Sequence, residues 1–434
     1  MRLILLALCL LAASLMPATA QTTPPDSAAP VQPAPALTQR IAELPAIVAA
    51  KGDFDAYFAP SFKAQVPKDK FDAIGPQLVA QYGAIGTVEK VTATSPYEAT
   101  LLLGFERGIA TIQLIVDPAP PHRVTGLLIT GIEPRGDTAE KVEAEFKALP
   151  GQTAFGVYAL GEGRTPQFEH GGGATMPLGS AFKLWVLAEA ARQVEAGERR
   201  WSDVVRIDAQ RSLPSGVTQT WPQNAPVTLQ TLATLMISIS DNTATDTLMR
   251  TLGRDNVDAM VARSSRGDAS ATLPVLTTME AFRLKSPANA QLAAQWKAAG
   301  AEGRRKLLKD NQARIAATKV DTGLFGETPL ALDVEWFATP RDQAALLDWL
   351  RTKGGDTALQ VMAANPGTPH AALFDYAGFK GGSEPGVIYG SWLLKTKKGN
   401  WYAVTGGWTR ADAGVQLPVF MNLMNRLIAQ LASQ

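Results

Sequence analysis

Two strand-like runs near the C-terminus, separated by a short polar turn, most constrain what this chain can fold into. Residues 387–395 and 401–407 are rich in aliphatic and aromatic side chains, and the KKGN sequence at 397–400 is typical of a hairpin turn. A similar strand pattern at 155–160 follows a helical pattern at 138–149. Because the sequence between these ends is mostly helical, we expect an α/β fold. One antiparallel sheet would come from both ends of the segment, and a helical subdomain would come from its middle.

A boundary precedes this segment. The sequence EPRGD at 133–137 combines proline, glycine and charged residues, as loops between domains often do. The chain has 434 residues, enough for two or three domains. We therefore expect a larger domain over 138–434, which ends in an amphipathic helix at 418–431.

The segment before that boundary, 37–134, has the pattern of a small α+β domain. Apolar residues at helical spacing predict helices at 37–48 and 71–82. Four strand-like runs separated by glycine, proline or aspartate follow, at 87–93, 99–105, 109–116 and 124–130. The sequence FAPSFKAQVP followed by these strands is similar to the small cone-shaped domains related to steroid isomerases. We assign no chemistry to it.

The N-terminus predicts export. Arg2 precedes an apolar stretch at 3–16, and Ala18-Thr19-Ala20 is a small-x-small cleavage site, so a signal peptide is expected at 1–20. The alternative is an uncleaved anchor, but the apolar stretch is shorter than the ~20 residues that a spanning helix needs. The Pro- and Ala-rich residues 21–36 are expected to be an extended linker. The mature protein is then periplasmic or secreted and not held in the membrane.

Composition excludes several classes of function. The net charge of +1 gives no bulk attraction to nucleic acid or to an anionic membrane. The single cysteine, Cys9, lies in the signal peptide, which excludes disulfides, cysteine nucleophiles and thiolate metal sites in the mature chain. The three histidines, His122, His170 and His370, are scattered without metal-binding spacing. We expect no metal and no cofactor, and the expected partner is a small-molecule substrate; the oligomeric state stays open.

The first chemical motif is Ser180 followed three residues later by Lys183, at the start of a strong helical pattern. Residues at this spacing lie on one face of a helix, so the amine can reach the hydroxyl. A serine becomes a nucleophile when a base removes its proton, and a lysine with a lowered pKa can do so. The alternative is that Ser180 is a helix cap and Lys183 a surface lysine.

The second motif is Ser240-Asp241-Asn242, between two helical patterns. Beside a lysine, the Ser240 hydroxyl can carry a proton to a leaving group, and the Asn242 amide can bind a substrate carbonyl. We expect Asp241 to be structural. Alone, the three residues could equally be a helix cap.

The third motif is Lys380-Gly381-Gly382-Ser383, on or just before the strand that begins at Val387. Glycines allow a substrate backbone to approach a strand closely. Lys380 offers a positive charge to a substrate carboxylate and Ser383 offers a hydroxyl, although the same four residues could form an ordinary loop.

In this order the three motifs resemble the set found in class A β-lactamases and penicillin-binding proteins. The two-domain layout, with FKGGSEPGV and LTTMEAFRLK, is similar to β-lactamase-fold serine hydrolases with a small N-terminal domain, such as those encoded in clavulanic acid gene clusters. The resemblance implies that Ser180 is the nucleophile, Lys183 its base and Ser240 the proton shuttle. It implies an oxyanion hole made by backbone N–H groups of Ser180 and of the strand after Lys380. Lys380 and Ser383 would bind the carboxylate, with help from Arg410.

Two departures from the family pattern bear on the hydrolysis of an acyl-enzyme. The Glu-x-x-Leu-Asn motif that deacylates class A enzymes is absent; the nearest glutamate, Glu280, has capping-box spacing from Thr277, and Asp268 is no better placed. The third motif has Lys-Gly-Gly in place of Lys-Thr-Gly, so the missing hydroxyl would come from Ser383. Acylation of Ser180 is therefore better provided for than deacylation, and Lys183 itself would have to activate water.

The predicted function is β-lactamase-type hydrolysis of β-lactams through an acyl-enzyme, with slow deacylation. An esterase or a D-Ala peptidase with the same nucleophile is the first alternative. A non-enzymatic binding protein on the same fold is the second.

Overall fold

The computed structural model describes residues 31–432 except 162, 214, 266–268 and 327. The predicted signal peptide and the first ten residues of the predicted linker lie outside this range. The chain divides into two compact units, Met1–Ile132 and Glu133–Gln434. Within the described part, none of the helices has the length and apolar character needed to cross a membrane.

The first unit contains short helices followed by a four-stranded sheet in the order β1-β2-β3-β4. Its elements are α1 (Pro35–Val48), α2 (Phe54–Tyr57), α3 (Pro60–Gln65), α4 (Lys68–Asp72), α5 (Ile74–Tyr82), β1 (Ile85–Ser95), β2 (Glu98–Phe105), β3 (Gly108–Val116) and β4 (Val124–Pro134). The core lies between α1 and the sheet, because Leu37, Ile41 and Leu44 form one buried stripe on α1 that belongs to the same apolar cluster as Leu101 and Ile112.

One expected helix of this unit is interrupted. The apolar pattern at 71–82 predicted a single helix, but the structure has α4 and α5 with a break at Ala73. Pro76 explains the break, because it has no N–H to donate to the carbonyl four residues earlier. The spacing of apolar residues carries no information about this missing donor, so the pattern predicted one continuous helix.

The second unit is an α/β domain. Its strands are β5 (Gln152–Gly161), β6 (Gly163–His170), β7 (Met176–Pro177), β8 (Val204–Arg206), β9 (Pro226–Thr228), β10 (Phe337–Ala338), β11 (Phe374–Glu384), β12 (Val387–Thr396) and β13 (Trp401–Thr409). Its helices are α6 (Ala139–Ala148), α7 (Lys183–Glu195), α8 (Leu229–Ser238), α9 (Asn242–Leu252), α10 (Arg254–Ser264), α11 (Thr278–Lys285), α12 (Ala290–Ala298), α13 (Ala301–Asp310), α14 (Gln312–Ala317), α15 (Pro340–Lys353), α16 (Gly355–Ala363) and α17 (Leu417–Leu431).

The main sheet has five antiparallel strands in the order β11-β12-β13-β5-β6. Strands β12 and β13 form the expected hairpin, and β13 also pairs with β5, with Thr405 opposite Gly156. The last strands of the chain thus lie beside the first strands of the unit. The predicted fold class, a sheet from both ends with a helical middle, is confirmed.

Apolar layers cover both faces of this sheet. On one face lies the helical subdomain around α7, which is buried on nearly every side. On the other face, α6 and α17 pack through residues such as Phe146 and Phe420. Arg426 on α17 joins these two helices by bonding to Asp137 and Glu145 at 2.7–2.9 Å.

Sequence patterns missed two strands of the sheet. Strand β6 contains Pro166, which suits only an edge position such as the one β6 occupies. Strand β11 carries the Lys380–Ser383 motif, which we had placed on or just before the following strand. Its glycines and charged residues hide the alternation that usually indicates a strand.

Candidate active site

Ser180 lies in a 3₁₀ turn, Gly179–Phe182, that leads directly into α7. The turn begins at Gly179, whose φ of +48° lies in the left-handed region that favours glycine. The Gly179 N–H donates to the Glu335 carboxylate over 3.0 Å, which fixes the entry to the turn. Ser180 therefore sits at the end of α7 where backbone N–H groups have no acceptor within the helix.

Lys183 is the first residue of α7 and its side chain is fully buried. Its Nζ donates to the Ser240 carbonyl at 2.6 Å, to the Asn242 Oδ1 at 2.6 Å and to the Ser240 hydroxyl at 3.1 Å. Burial holds the pKa of the Lys183 amine well below its usual value, and the positive charge of Lys380 lowers it further. Such a lysine gives up its proton readily and can serve as a base.

Ser240 connects the two lysines of the site. Its hydroxyl lies 3.1 Å from Lys183 Nζ and 3.0 Å from Lys380 Nζ. Its φ of +58° is a left-handed conformation that costs a serine on the order of 1–3 kcal/mol. The Ser240 carbonyl, which accepts from Lys183 and from the Ser215 hydroxyl, helps to hold that conformation. A hydroxyl between two amines is placed to pass a proton.

Asp241 holds the surrounding loop together. It is fully buried, caps α9 through the Ala244 N–H at 2.8 Å, and accepts the N–H groups of Val217 and Thr218 at 2.6 and 2.8 Å. Gly216 packs against it so closely that a Cβ there would lie 2.2 Å from the carboxylate. These contacts make Asp241 a structural residue beside the site.

Asn242 is buried beside Lys183. Its Oδ1 accepts from Lys183, and its Nδ2 donates to the Leu213 carbonyl at 3.1 Å. Both ends of the amide thus have protein partners, although the residue also lines the cavity described below. To bind a substrate carbonyl, the Asn242 amide would have to exchange Leu213 for the substrate.

Strand β11 presents its motif on two faces. Because side chains alternate along a strand, Lys380, Gly382 and Glu384 lie on one face and Gly381 and Ser383 on the other. Lys380 is 3% exposed and also donates to the Gly381 carbonyl. Burial lowers the pKa of the Lys380 amine to about 7.

Gly382 brings β11 against the nucleophile turn. A Cβ on Gly382 would lie 2.3 Å from Ser180 N and 2.1 Å from the Leu178 carbonyl oxygen, so only glycine fits. Ser383 N in turn lies 3.0 Å from the position of a Cβ on Gly179. The backbone N–H groups of Ser180 and Ser383 thus belong to two adjoining segments, an arrangement that can supply the two donors of an oxyanion hole.

Ser383 and Arg410 differ in their relation to the site. Ser383 is exposed and lines the cavity on the strand face that Gly381 shares, so its hydroxyl is available where Gly381 has none. Arg410 follows β13 and pairs with Asp412 at 2.9 Å. Arg410 is not among the described residues that line the cavity.

A cavity of about 490 Å³ contains the site. Its size is that of a small-molecule pocket. The motif residues share its wall with aromatic and aliphatic side chains; the lining includes Ser180, Ser240, Asn242, Lys380, Gly381, Gly382, Ser383, Phe282, Phe325, Trp336, Phe379 and Ile388.

Of the two acidic residues considered for deacylation, Glu280 is not among the described residues that line the cavity. Glu280 forms a capping box with Thr277 at the start of α11 and an ion pair with Arg254 at 2.6 Å. Asp268 lies outside the described residues.

Sequence reasoning missed a second charged cluster in the cavity wall. Lys285 Nζ bonds to Glu335 at 3.0 Å and to both carboxylate oxygens of Glu384 at 2.5 and 2.6 Å. Lys285 is 50 residues from Glu335 and 99 from Glu384, so no local pattern joins them. One signal in the sequence could have indicated a link to the site: Glu384 follows Lys380 by four residues, which places both on the same face of a strand.

Comparison with known proteins adds the family. A model of the beta-lactamase enzyme family matches residues 137–366, which is more than half of the chain. The chain belongs to this family. The family indicated by the three motifs is thus confirmed. No curated protein matches this beta-lactamase family member.

Similar solved structures include two beta-lactamases. The enzyme from Sphaerobacter thermophilus DSM 20745 is 20% identical with a TM-score of 0.47, over 68% of this chain and 96% of that one. The enzyme from Chitinophaga pinensis DSM 2588 is 15% identical with a TM-score of 0.48, over 68% and 97%. PBP-A is 15% identical with a TM-score of 0.45, over 68% and 96%.

Proposed function

We propose that this beta-lactamase family member hydrolyses β-lactams through an acyl-enzyme on Ser180. The observation that carries the proposal is the meeting of Lys183 and Lys380 at the Ser240 hydroxyl, 3.1 and 3.0 Å away, in the wall of the cavity that Ser180 lines. A base, a proton shuttle and an anion site then surround one nucleophile. The predicted signal peptide would place the reaction in the periplasm or outside the cell.

In the acylation step, neutral Lys183 removes the proton of the Ser180 hydroxyl. The two residues are three apart at the start of a helix, so their side chains lie on one face. The Ser180 oxygen attacks the lactam carbonyl and a C–O bond forms. The backbone N–H groups of Ser180 and Ser383 stabilise the oxyanion, which is the charge that develops in this step.

Ring opening then requires a proton at the lactam nitrogen. As the C–N bond breaks, the proton held by Lys183 passes to the Ser240 hydroxyl, and the Ser240 proton passes to the nitrogen. The contact between Lys183 and Ser240 supports this route. It returns Lys183 to its neutral form in the acyl-enzyme.

Substrate binding would use two residues of β11 that line the cavity. Lys380 in its charged form attracts the carboxylate of the β-lactam, and the Ser383 hydroxyl donates to it. Aromatic residues such as Phe282 and Phe325 offer an apolar surface to the acyl side chain.

The test is mass spectrometry of the protein after incubation with a penicillin. We expect an adduct of the penicillin mass on Ser180, its loss in Ser180→Ala, and its retention in a control, Ser95→Ala, which lies in the first unit. A Ser180→Ala protein that still carries the adduct would refute the proposal, as would a wild-type protein that never forms it.

A D-Ala peptidase is the second candidate, because β11 is an edge strand of the sheet. An extended peptide can pair with such an edge. Turnover of a D-Ala-terminated peptide or a simple ester that exceeds penicillin turnover, and that is lost in Ser180→Ala, would favour this candidate or an esterase.

A further inference from the structure

The acylation steps leave the cluster of Lys285, Glu335 and Glu384 unused. The side chains of Lys285 and Glu335 are 1% and 2% exposed and that of Glu384 is 16% exposed. Buried charges are costly unless they are paired, and here one ammonium serves two carboxylates. Glu335 and Glu384 are the carboxylates among the described residues that line the cavity.

The cluster and Lys380 lie on opposite sides of Gly382 along β11. On β11, Lys380 and Glu384 share a face with Gly382 between them, each about 6–7 Å along the strand from it at the usual rise. The backbone of Gly382 lies directly against Ser180 N. Along β11, the strand position next to Ser180 thus lies between Lys380, which contacts Ser240, and Glu384, which contacts Lys285.

The two glutamates have different surroundings. Glu335 accepts hydrogen bonds from the Gly179 and Trp336 N–H groups at 3.0 and 3.3 Å and from Lys285. Its carboxylate therefore already has three donors, and it stabilises the turn that carries Ser180. Glu384 is bound by Lys285, is more exposed than Glu335 and lines the cavity. Of the two, Glu384 is therefore the carboxylate that a water molecule in the cavity can reach.

We propose that Glu384 is the general base that activates water to hydrolyse the Ser180 acyl-enzyme, with Lys285 and Glu335 as its positioning residues. This inference rests on the proposed acyl-enzyme. Glu384 takes one proton from water as the water oxygen bonds to the acyl carbon. That proton returns to the Ser180 oxygen as the acyl C–O bond breaks, which frees the enzyme and the acid product. Lys183 then has no part in activating water.

The ionisation of Glu384 agrees with this role. Burial raises the pKa of the Glu384 carboxyl to about 8; Lys285 from α11 opposes the rise, and Glu335 from the segment before β10 adds to it. Lys380 on the same strand is the next charged group along that face. A general base works best when its pKa lies near the working pH. Because the ionised form is the base, deacylation should speed up as the pH rises through about 8.

The experiment separates the two halves of the reaction. Glu384→Gln and wild type are mixed with a penicillin, and rapid quenching with mass spectrometry gives the rates of adduct formation and loss. We expect Glu384→Gln to acylate within about threefold of wild type, whereas deacylation falls by at least about 100-fold, the lower end of general-base effects. The wild-type deacylation rate should rise from pH 6 to pH 9, and the variant rate should not.

Two further variants guard the interpretation. Glu280→Gln is the matched control, because this glutamate caps α11 outside the described cavity wall, and it should deacylate like wild type. Glu384→Ala is the second variant; Lys285 keeps its ion pair with Glu335 in it, so no buried charge is left unpaired, and it should show the same slow deacylation. Fast deacylation in Glu384→Gln or in Glu384→Ala overturns the inference while the acyl-enzyme stands. If wild type forms no adduct, the proposed function fails and the inference fails with it.

Discussion

Lys183 Nζ lies 2.6 Å from the backbone carbonyl of Ser240 and 3.1 Å from its hydroxyl. One amine therefore holds both the main chain and the side chain of a residue whose φ is +58°. The base and the proton shuttle of the proposed reaction are thus positioned by the same contact. This coupling, together with the close approach of β11, leads to the following predictions.

Replacing Lys183 by arginine should abolish acylation. Arginine keeps the positive charge but does not lose its proton at usable pH, so it cannot act as the base. We expect the acylation rate with penicillin to fall by about 100- to 10,000-fold, the usual range for loss of a general base. Rapid-quench mass spectrometry measures it. A Lys183→Arg protein that acylates at the wild-type rate would rule out this role.

Replacing Ser240 by glycine and by alanine should separate the effect of its backbone strain on stability from the effect of its hydroxyl on acylation. Both remove the hydroxyl, so both should slow acylation by a similar factor. Glycine tolerates the left-handed conformation and alanine does not, so Ser240→Gly should be more stable than Ser240→Ala by about 1 kcal/mol. Urea unfolding measures the difference, and equal stabilities would show that the loop relaxes.

Alanine at Gly382 should damage the site more than alanine at Gly381. A Cβ at Gly382 meets backbone atoms of the nucleophile turn at 2.1–2.6 Å, whereas at Gly381 it first meets the end of the Phe379 ring at 2.6 Å, and a ring can move. We expect acylation to fall by at least about 100-fold in Gly382→Ala, as for the loss of an oxyanion donor. The Gly381→Ala loss should be several times smaller. The order of the two losses is the result to check.

Substrate affinity should weaken as the pH rises past about 7. Burial lowers the pKa of Lys380 to about 7, so its charge is present below that pH and lost above it. A carboxylate substrate should therefore show a KM that increases between pH 6 and pH 8.5. Lys380→Ala should have a high KM across that range. A wild-type KM that stays constant would mean that Lys380 does not bind the carboxylate.

Alanine at Asp241 should destabilise the second unit by about 3 kcal/mol. The change leaves the buried N–H groups of Thr218 and Ala244, and the partly buried one of Val217, without their acceptor. Asp412→Ala is the control, since this carboxylate is 75% exposed and should change the free energy of unfolding by less than about 0.5 kcal/mol. Similar unfolding curves for the two variants would contradict the prediction.

The sequence predicted those parts of the site that depend on local spacing. Ser180 and Lys183 are one helical turn apart, and Ser240 to Asn242 follow one another at a helix start, so pattern and chemistry coincide there. The C-terminal hairpin was equally local, with two apolar runs and a polar turn.

Features that depend on distant partners were not predictable. Lys285, Glu335 and Glu384 each look like ordinary surface charges until the fold buries them together. Strand β11 was hidden by Gly381 and Gly382, and Gly382 is the residue that lets it approach Ser180. A typical strand sequence would have β-branched or aromatic residues at these positions, but the close contact with the Ser180 turn requires glycine at 382.

The order of the main sheet has a consequence for synthesis of the protein. Strand β5 cannot pair with β13, and Ser180 cannot contact Gly382, until nearly the whole chain has left the ribosome. A nascent chain that ends before β11 carries Ser180 without Gly382 and Ser383, without Lys380 and without Glu384. The proposed reaction with a β-lactam therefore requires that synthesis of the chain be almost complete.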